Sequence, residues 1–148
     1  MSKRERLPVA VTHLVRDTCM CLHVQRAARA VARRFDEALR PLGLTSGQFS
    51  LLMSLNRPYP PVMGEVAALL GMDRTTLTAA LKPLQRRRLI TVMVDANDRR
   101  SRRLKLTPAG RALLARAFPV WRDTHAAIDR LVPGAGADRL RRDLTALT

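Results

Sequence analysis

Between Glu65 and Lys105 the chain carries two patterns back to back that few folds accommodate. The first is Glu65-Val66-Ala67, Leu70, Gly71, then Leu77, Leu81 and Leu84. It describes two short helices joined by a tight turn. A small residue at Ala67 lets the first helix approach the second, and Gly71 permits the turn. Leu77, Leu81 and Leu84 recur at helical spacing and give the second helix a buried inner face. Its outer face holds Arg74, Thr75, Thr76, Thr78 and Lys82, all short, polar or basic. Such a face suits the major groove of duplex DNA.

The second pattern is a hairpin. Ile90, Val92 and Val94 alternate with Thr91 and Met93, and Arg102 to Leu106 forms a second run. The seven-residue stretch Asp95 to Ser101 between them is polar in all but Ala96 and turn-prone. Residues 85–105 hold eight basic side chains, Arg86, Arg87, Arg88, Arg99, Arg100, Arg102, Arg103 and Lys105, against two acidic ones, Asp95 and Asp98. A basic hairpin directly after a helix-turn-helix is a wing. Arginine at its tip fits a narrow minor groove, where the negative potential is strongest.

Composition agrees. Lys and Arg number 27 against 12 Asp and Glu, a formal charge of +15, which favours a polyanion partner. Aromatic residues make up 3% of the chain, few for a protein that stacks single-stranded bases. Apolar residues make up 47%, enough to bury a core. No apolar run is long enough to cross a membrane, and the stretch after the first residues is broken by His13, Arg16 and Asp17, unlike a signal peptide. Two cysteines, Cys19 and Cys21, are too few and too close for a disulfide scaffold, so a cytoplasmic protein is expected. No catalytic pairing of Ser-His-Asp or Cys-His type and no phosphate-binding glycine loop is visible, which speaks against an enzyme.

On either side of this centre the pattern is helical. Residues 1 to about 10 read as a basic arm. From about Thr12 to Pro41 one helix of roughly 45 Å is expected. Its apolar stripe is Val24, Ala28, Val31, Phe35, Ala38 and Leu42. A stripe that long in a chain this small points to a second copy as partner. Thr45 and Gln48 form a capping box that starts a helix at 46. Three prolines within Pro58 to Pro61 make a loop. A short helix follows from about Val62 to Leu70. Asp73 caps the next, which runs to about Arg87 with Pro83 inside it. Thr107-Pro108 opens a helix whose stripe is Leu114, Phe118, Trp121, His125 and Ile128, with Pro119 expected to bend it. Beyond the Pro133–Gly136 linker, a last helix is expected over 138–147.

These residues resemble the MarR family of bacterial transcription regulators. The resemblance is carried by Phe35-Asp36-Glu37-Ala38-Leu39, Leu42-Gly43-Leu44-Thr45 and Gln48-Phe49. It continues in Asp73-Arg74-Thr75-Thr76-Leu77-Thr78, in Asp95-Ala96-Asn97-Asp98-Arg99-Arg100-Ser101 and in Leu106-Thr107-Pro108-Ala109-Gly110. The resemblance implies a mainly α fold with a small β-hairpin wing. A winged helix-turn-helix over 45–107 would bind DNA. An N-terminal arm and helix over 1–44 and C-terminal helices over 108–148 would form a homodimer. The partner would be a pseudo-palindromic operator in duplex DNA, read by Arg74, Thr75, Thr76, Thr78 and Lys82 in the major groove and by Arg99, Arg100 and Arg102 from the wing. The protein would act as a repressor released by an effector such as a small aromatic acid, or by an oxidant. A winged helix that binds DNA without sequence preference is the alternative. Two positions depart from the family pattern. Ala79-Ala80 stand where arginine is frequent, and Arg88 stands where glycine usually supplies a left-handed turn, so that turn is expected to form without its usual left-handed residue.

In this family an effector pocket lies between the dimer helices and the winged domain, and His23, Arg26, Phe49, Met53 and Trp121 are placed to line it. Arg26 would pair with a ligand carboxylate. Some members sense oxidants through an N-terminal cysteine, which draws notice to Cys19 and Cys21. The plainer expectation is that both are small buried hydrophobes. Cys19, Cys21 and His23 do not converge on a metal ion if all three are helical, because residues two apart point about 200° apart. No cofactor is expected.

Overall fold

The computed structural model describes residues 6–148 and contains seven α-helices and one two-stranded sheet. In chain order these are α1 (Val9–Thr18), α2 (Met20–Leu39), α3 (Ser46–Ser54), α4 (Met63–Leu70), α5 (Arg74–Arg86), β1 (Ile90–Val94), β2 (Arg102–Leu106), α6 (Pro108–Asp129) and α7 (Ala137–Thr145). Single 3₁₀ turns follow α2 (Arg40–Leu42) and α6 (Pro133–Ala135). Residues 1–5 of the expected N-terminal arm lie outside the described residues, and Val9 and Ala10 already belong to α1.

The single N-terminal helix expected from the sequence is instead two. Cys19 is extended (φ −68°, ψ 109°) and separates α1 from α2. Neither proline nor glycine causes the break. Carried back seven residues from Val24, the apolar stripe would fall on Asp17, which pairs with Arg16 at 2.6 Å instead. The Thr18 hydroxyl bonds back to the Leu14 carbonyl at 2.6 Å and competes for the last turn of α1.

The remaining elements form where local chemistry places them. The Thr45 hydroxyl accepts from Gln48 N at 3.2 Å, and the Gln48 side chain accepts from Thr45 N at 3.1 Å, closing the capping box of α3. Asp73 accepts from Thr76 N at 2.7 Å to open α5. Thr107 accepts from Gly110 N at 3.0 Å to open α6, with Pro108 in the first turn. Gly71 ends α4 in the left-handed conformation.

The turn between α5 and β1 overturns one expectation. It does have a left-handed residue, and that residue is Arg88 itself (φ 54°). The Thr107 hydroxyl donates to the Arg88 carbonyl at 2.7 Å and holds the turn.

The strands pair antiparallel, Ile90 opposite Leu106 and Val94 opposite Arg102. One core joins the helix-turn-helix, the hairpin root and the flanking helices. Leu39, Leu52, Val66, Leu77, Leu84 and Leu104 are each fully buried in it. α2 packs on α3 and α6, whereas α5 packs on α4 and β1. The stripe of α2 is only partly covered: Val24 and Phe35 are half-buried, Ala28 and Val31 exposed. Leu14, Val15 and Met20 at one end of the chain and Leu131, Leu140, Leu144 and Leu147 at the other also stand exposed. No described helix is long and apolar enough to cross a membrane.

Candidate nucleic-acid interface

α5 is two-faced. Leu77, Leu81 and Leu84 are at most 2% exposed, whereas Arg74, Thr75, Thr76, Thr78 and Lys82 all reach solvent. The Thr78 hydroxyl donates to the Arg74 carbonyl at 2.8 Å, which fixes its rotamer. The backbone N–H of Thr76, then its hydroxyl and to a lesser degree the Thr75 N–H, hold the Asp73 carboxyl below the usual carboxylate range. That negative charge is therefore committed to the cap.

The wing uses its two acidic residues in the same way. Asp98 accepts from Arg100 N at 3.0 Å and shapes the tip. Asp95 is buried, and accepts from Arg103 Nε at 3.0 Å and from Asn97 N at 3.3 Å. Among the described residues, the side chains of Arg74, Lys82, Arg99 and Arg100 make no hydrogen bond or ion pair. The result is a set of unpaired cations on α5 and at the wing tip, with the nearby carboxylates already engaged.

The basic residues counted in the sequence divide into two kinds. Arg102 is turned onto its own loop, donating to the Arg99 carbonyl at 2.9 Å and the Ser101 carbonyl at 3.2 Å. Arg103 donates to the Pro60 carbonyl at 2.6 Å and so ties the hairpin to the proline loop. Beside it, Leu104 N donates to the Pro61 carbonyl at 3.0 Å. Arg87 reaches the Gly43 carbonyl at 2.7 Å. Charge counting did not separate Arg87 and Arg103 from free cations, because their carbonyl partners lie more than 40 residues away.

The five residues expected to line one effector pocket fall in two places. Phe49, Met53 and Trp121 line an apolar cavity of about 360 Å³ with Leu69 and Phe118. The Trp121 ring stacks 6.0 Å from Phe49, 5.9 Å from Phe118 and 4.7 Å from His125, centroid to centroid. His23 and Arg26 instead line an open groove of about 510 Å³ on α2, with Arg29 and Arg33. Within one subunit Arg26 and the aromatic cavity are thus lined by separate sets of residues.

Cys19 is half-buried and Cys21 exposed, so neither is the buried hydrophobe expected from the sequence. Since Cys19 caps α2 rather than belonging to it, the helical angle between the two cysteines does not apply. Among the described residues no three His, Cys, Asp or Glu side chains gather to hold a metal ion.

A family model described as the MarR family matches residues 42–101. The M. tuberculosis transcriptional regulator MosR, solved in complex with DNA, is 42% identical over 87% of this chain and 92% of its own, with a TM-score of 0.79. The chain belongs to the MarR family. A second MarR-like structure is the transcriptional repressor CouR bound to a 23-mer DNA duplex. It is 29% identical over 97% of this chain and 99% of its own, with a TM-score of 0.78. CouR from Rhodococcus jostii RHA1 bound to p-coumaroyl-CoA shares the fold, with 23% identity over 88% of this chain and 92% of its own and a TM-score of 0.75. These MarR-family relatives are transcriptional regulators, a class of DNA-binding rather than catalytic proteins.

Proposed function

We propose that this MarR-family protein is a homodimeric repressor acting in the cytoplasm on a pseudo-palindromic operator. The observation that carries the reading is the unpaired cationic set. Arg74 and Lys82 flank the threonines of α5, Arg99 and Arg100 form the wing tip, and the neighbouring carboxylates are engaged by backbone N–H groups or by Arg103. Arg102 joins the DNA face as the brace of the wing tip. The uncovered apolar residues at both ends of the chain support a second copy, with 1–44 and 108–148 as the dimer-forming parts. A two-fold dimer presents two recognition helices about one helical turn apart, which is what a pseudo-palindrome requires. DNA-bound MosR and CouR support the same reading.

Release by an effector rests on two features. The cavity of Phe49, Met53 and Trp121 is apolar and aromatic, suited to the ring of an aromatic acid or its thioester, as CouR takes p-coumaroyl-CoA. Cys19 is the residue at the α1–α2 break, and Cys21 lies in the first turn of α2. One peroxide molecule would oxidise the two thiols to a disulfide and leave as two waters. A ring closed between the break residue and the first turn of α2 would then change the angle between α1 and α2.

The experiment is a salt titration on duplex DNA. The logarithm of affinity should fall steeply with the logarithm of salt concentration. Arg99→Gln with Arg100→Gln should shallow the slope by about 0.9 for each phosphate that is no longer neutralised. An unchanged slope and affinity would remove the wing tip from the interface.

A further inference from the structure

We propose that Arg87 is a positioning residue that straps the recognition helix α5 to the end of α2, and that it does not contact DNA. The inference rests on the DNA-binding reading above and deepens it. Arg87 is the residue that closes α5, and its Nη1 donates to the Gly43 carbonyl at 2.7 Å. Among the described residues this is the one side-chain hydrogen bond between α5 and the α2 end of the subunit.

The acceptor sits on a rigid mount. Gly43 N donates to the Arg40 carbonyl at 2.9 Å, and Leu44 N to the Leu39 carbonyl at 3.3 Å. Ser46 N donates to Asp36 Oδ1, on α2 itself, at 2.7 Å. Gly43 adopts φ 66°, a conformation that turns the chain sharply and is open to glycine at little cost. A Cβ there would meet Arg87 Nη2 at 3.3 Å, so the guanidinium lies directly against this turn.

The donor sits on the element that reads DNA. The body of α5 is held by α4 and β1 through its leucine face. The leucines fix its depth, but a row of aliphatic side chains resists sliding and rolling weakly. A planar guanidinium on a fixed carbonyl adds a directional restraint at the helix end. Movement of α2 is thereby passed to the angle at which Arg74, Thr75, Thr76 and Thr78 meet a groove. α2 carries Cys21 and has Cys19 as its cap, so the strap lies between the sensor end of the subunit and its reading face.

The test compares wild type, Arg87→Gln and Arg87→Lys for binding to the DNA flanking the gene and to random duplex, across a salt series. A strap predicts that Arg87→Gln lowers the ratio of specific to random affinity by about fivefold or more, the size of one charge-assisted hydrogen bond near the surface. It also predicts unchanged salt slopes on both DNAs and partial rescue of the ratio by lysine. A phosphate contact predicts a slope shallower by about 0.9 and a parallel loss on both DNAs, which would overturn the proposal. An unchanged ratio would overturn it as well. If wild type shows no preference, or binds no duplex, the operator reading fails, and hydrogen exchange in the free protein decides the strap. Arg87→Gln should then speed exchange at Leu44 and over the last turn of α5, with lysine intermediate. No change at Leu44 would end the proposal.

Discussion

The Arg103 guanidinium holds the Asp95 carboxylate at 3.0 Å with Nε and the Pro60 carbonyl at 2.6 Å with Nη1. One side chain thus joins the root of the wing loop to the proline loop between α3 and α4. Arg103, helped by Asn97 N, pulls the Asp95 carboxyl below the usual carboxylate range. A carboxyl with a lowered folded pKa stabilises fully above its unfolded value of about 3.9, and that contribution fades as pH falls through the lower folded value. The pair's contribution to wing order should therefore be constant from neutral pH to about pH 5 and weaken only in stronger acid. Asp95→Ala should speed hydrogen exchange at Ser101 and Leu104 at neutral pH and leave the middle of α6 unchanged. Equal protection in both proteins would show that the pair does not order the wing.

Arg88 holds a left-handed backbone without being glycine. That conformation costs a side-chain-bearing residue about 1–2 kcal/mol. Glycine removes that cost and gives back up to about 1 kcal/mol through the freedom of the unfolded chain. Arg88→Gly should stabilise the protein by about 0.5–1 kcal/mol, raising Tm by about 2–3 °C in thermal unfolding. A lower Tm would mean that the arginine side chain contributes more than its backbone costs.

Gly110 explains why the segment after the wing ends in glycine. A Cβ at this position would lie 2.1 Å from the Leu89 carbonyl oxygen. That carbonyl cannot retreat, because Thr107 N donates to it at 3.0 Å. Gly110→Ala should cost about 3 kcal/mol or more. Gly64→Ala in α4 is the matched control. Its Cβ would meet nothing within 4 Å, and it should be neutral or stabilising by up to about 1 kcal/mol. Equal unfolding midpoints for the two variants would contradict the packing described for the α6 start.

What was legible in the sequence was local. The caps at Thr45, Asp73 and Thr107 join residues three apart, and each formed as the spacing predicted. The leucine face of α5 and the two strands of the hairpin follow from periodicity in the same way. Distant pairings were not legible. Arg87 and Arg103 resemble any other basic residues until the fold brings Gly43 and Pro60 to them. The break at Cys19 was hidden because no proline or glycine marks it and the stripe is strong only from Val24 onward. Arg88 misleads because a missing glycine suggests a missing left-handed turn, whereas the Thr107 bond and the hairpin root impose that turn on arginine. The pocket residues share a family address but not a common cavity within one subunit.

The cysteines give a prediction specific to oxidant release. Peroxide should weaken wild-type DNA binding by about tenfold or more, a coupling of about 1.4 kcal/mol. It should leave Cys19→Ser with Cys21→Ser bound. A gel-shift titration with and without peroxide separates the outcomes. Equal release of both proteins would reduce the two thiols to packing.

The central claim is that this chain reads a particular DNA sequence. The most direct measurement is a binding titration of the purified protein against the DNA flanking its own gene and against random duplex, at physiological salt. The account predicts a preference for the flanking DNA of about 10³ or more. Equal affinity for both DNAs would contradict it and leave a winged helix that binds duplex through charge alone.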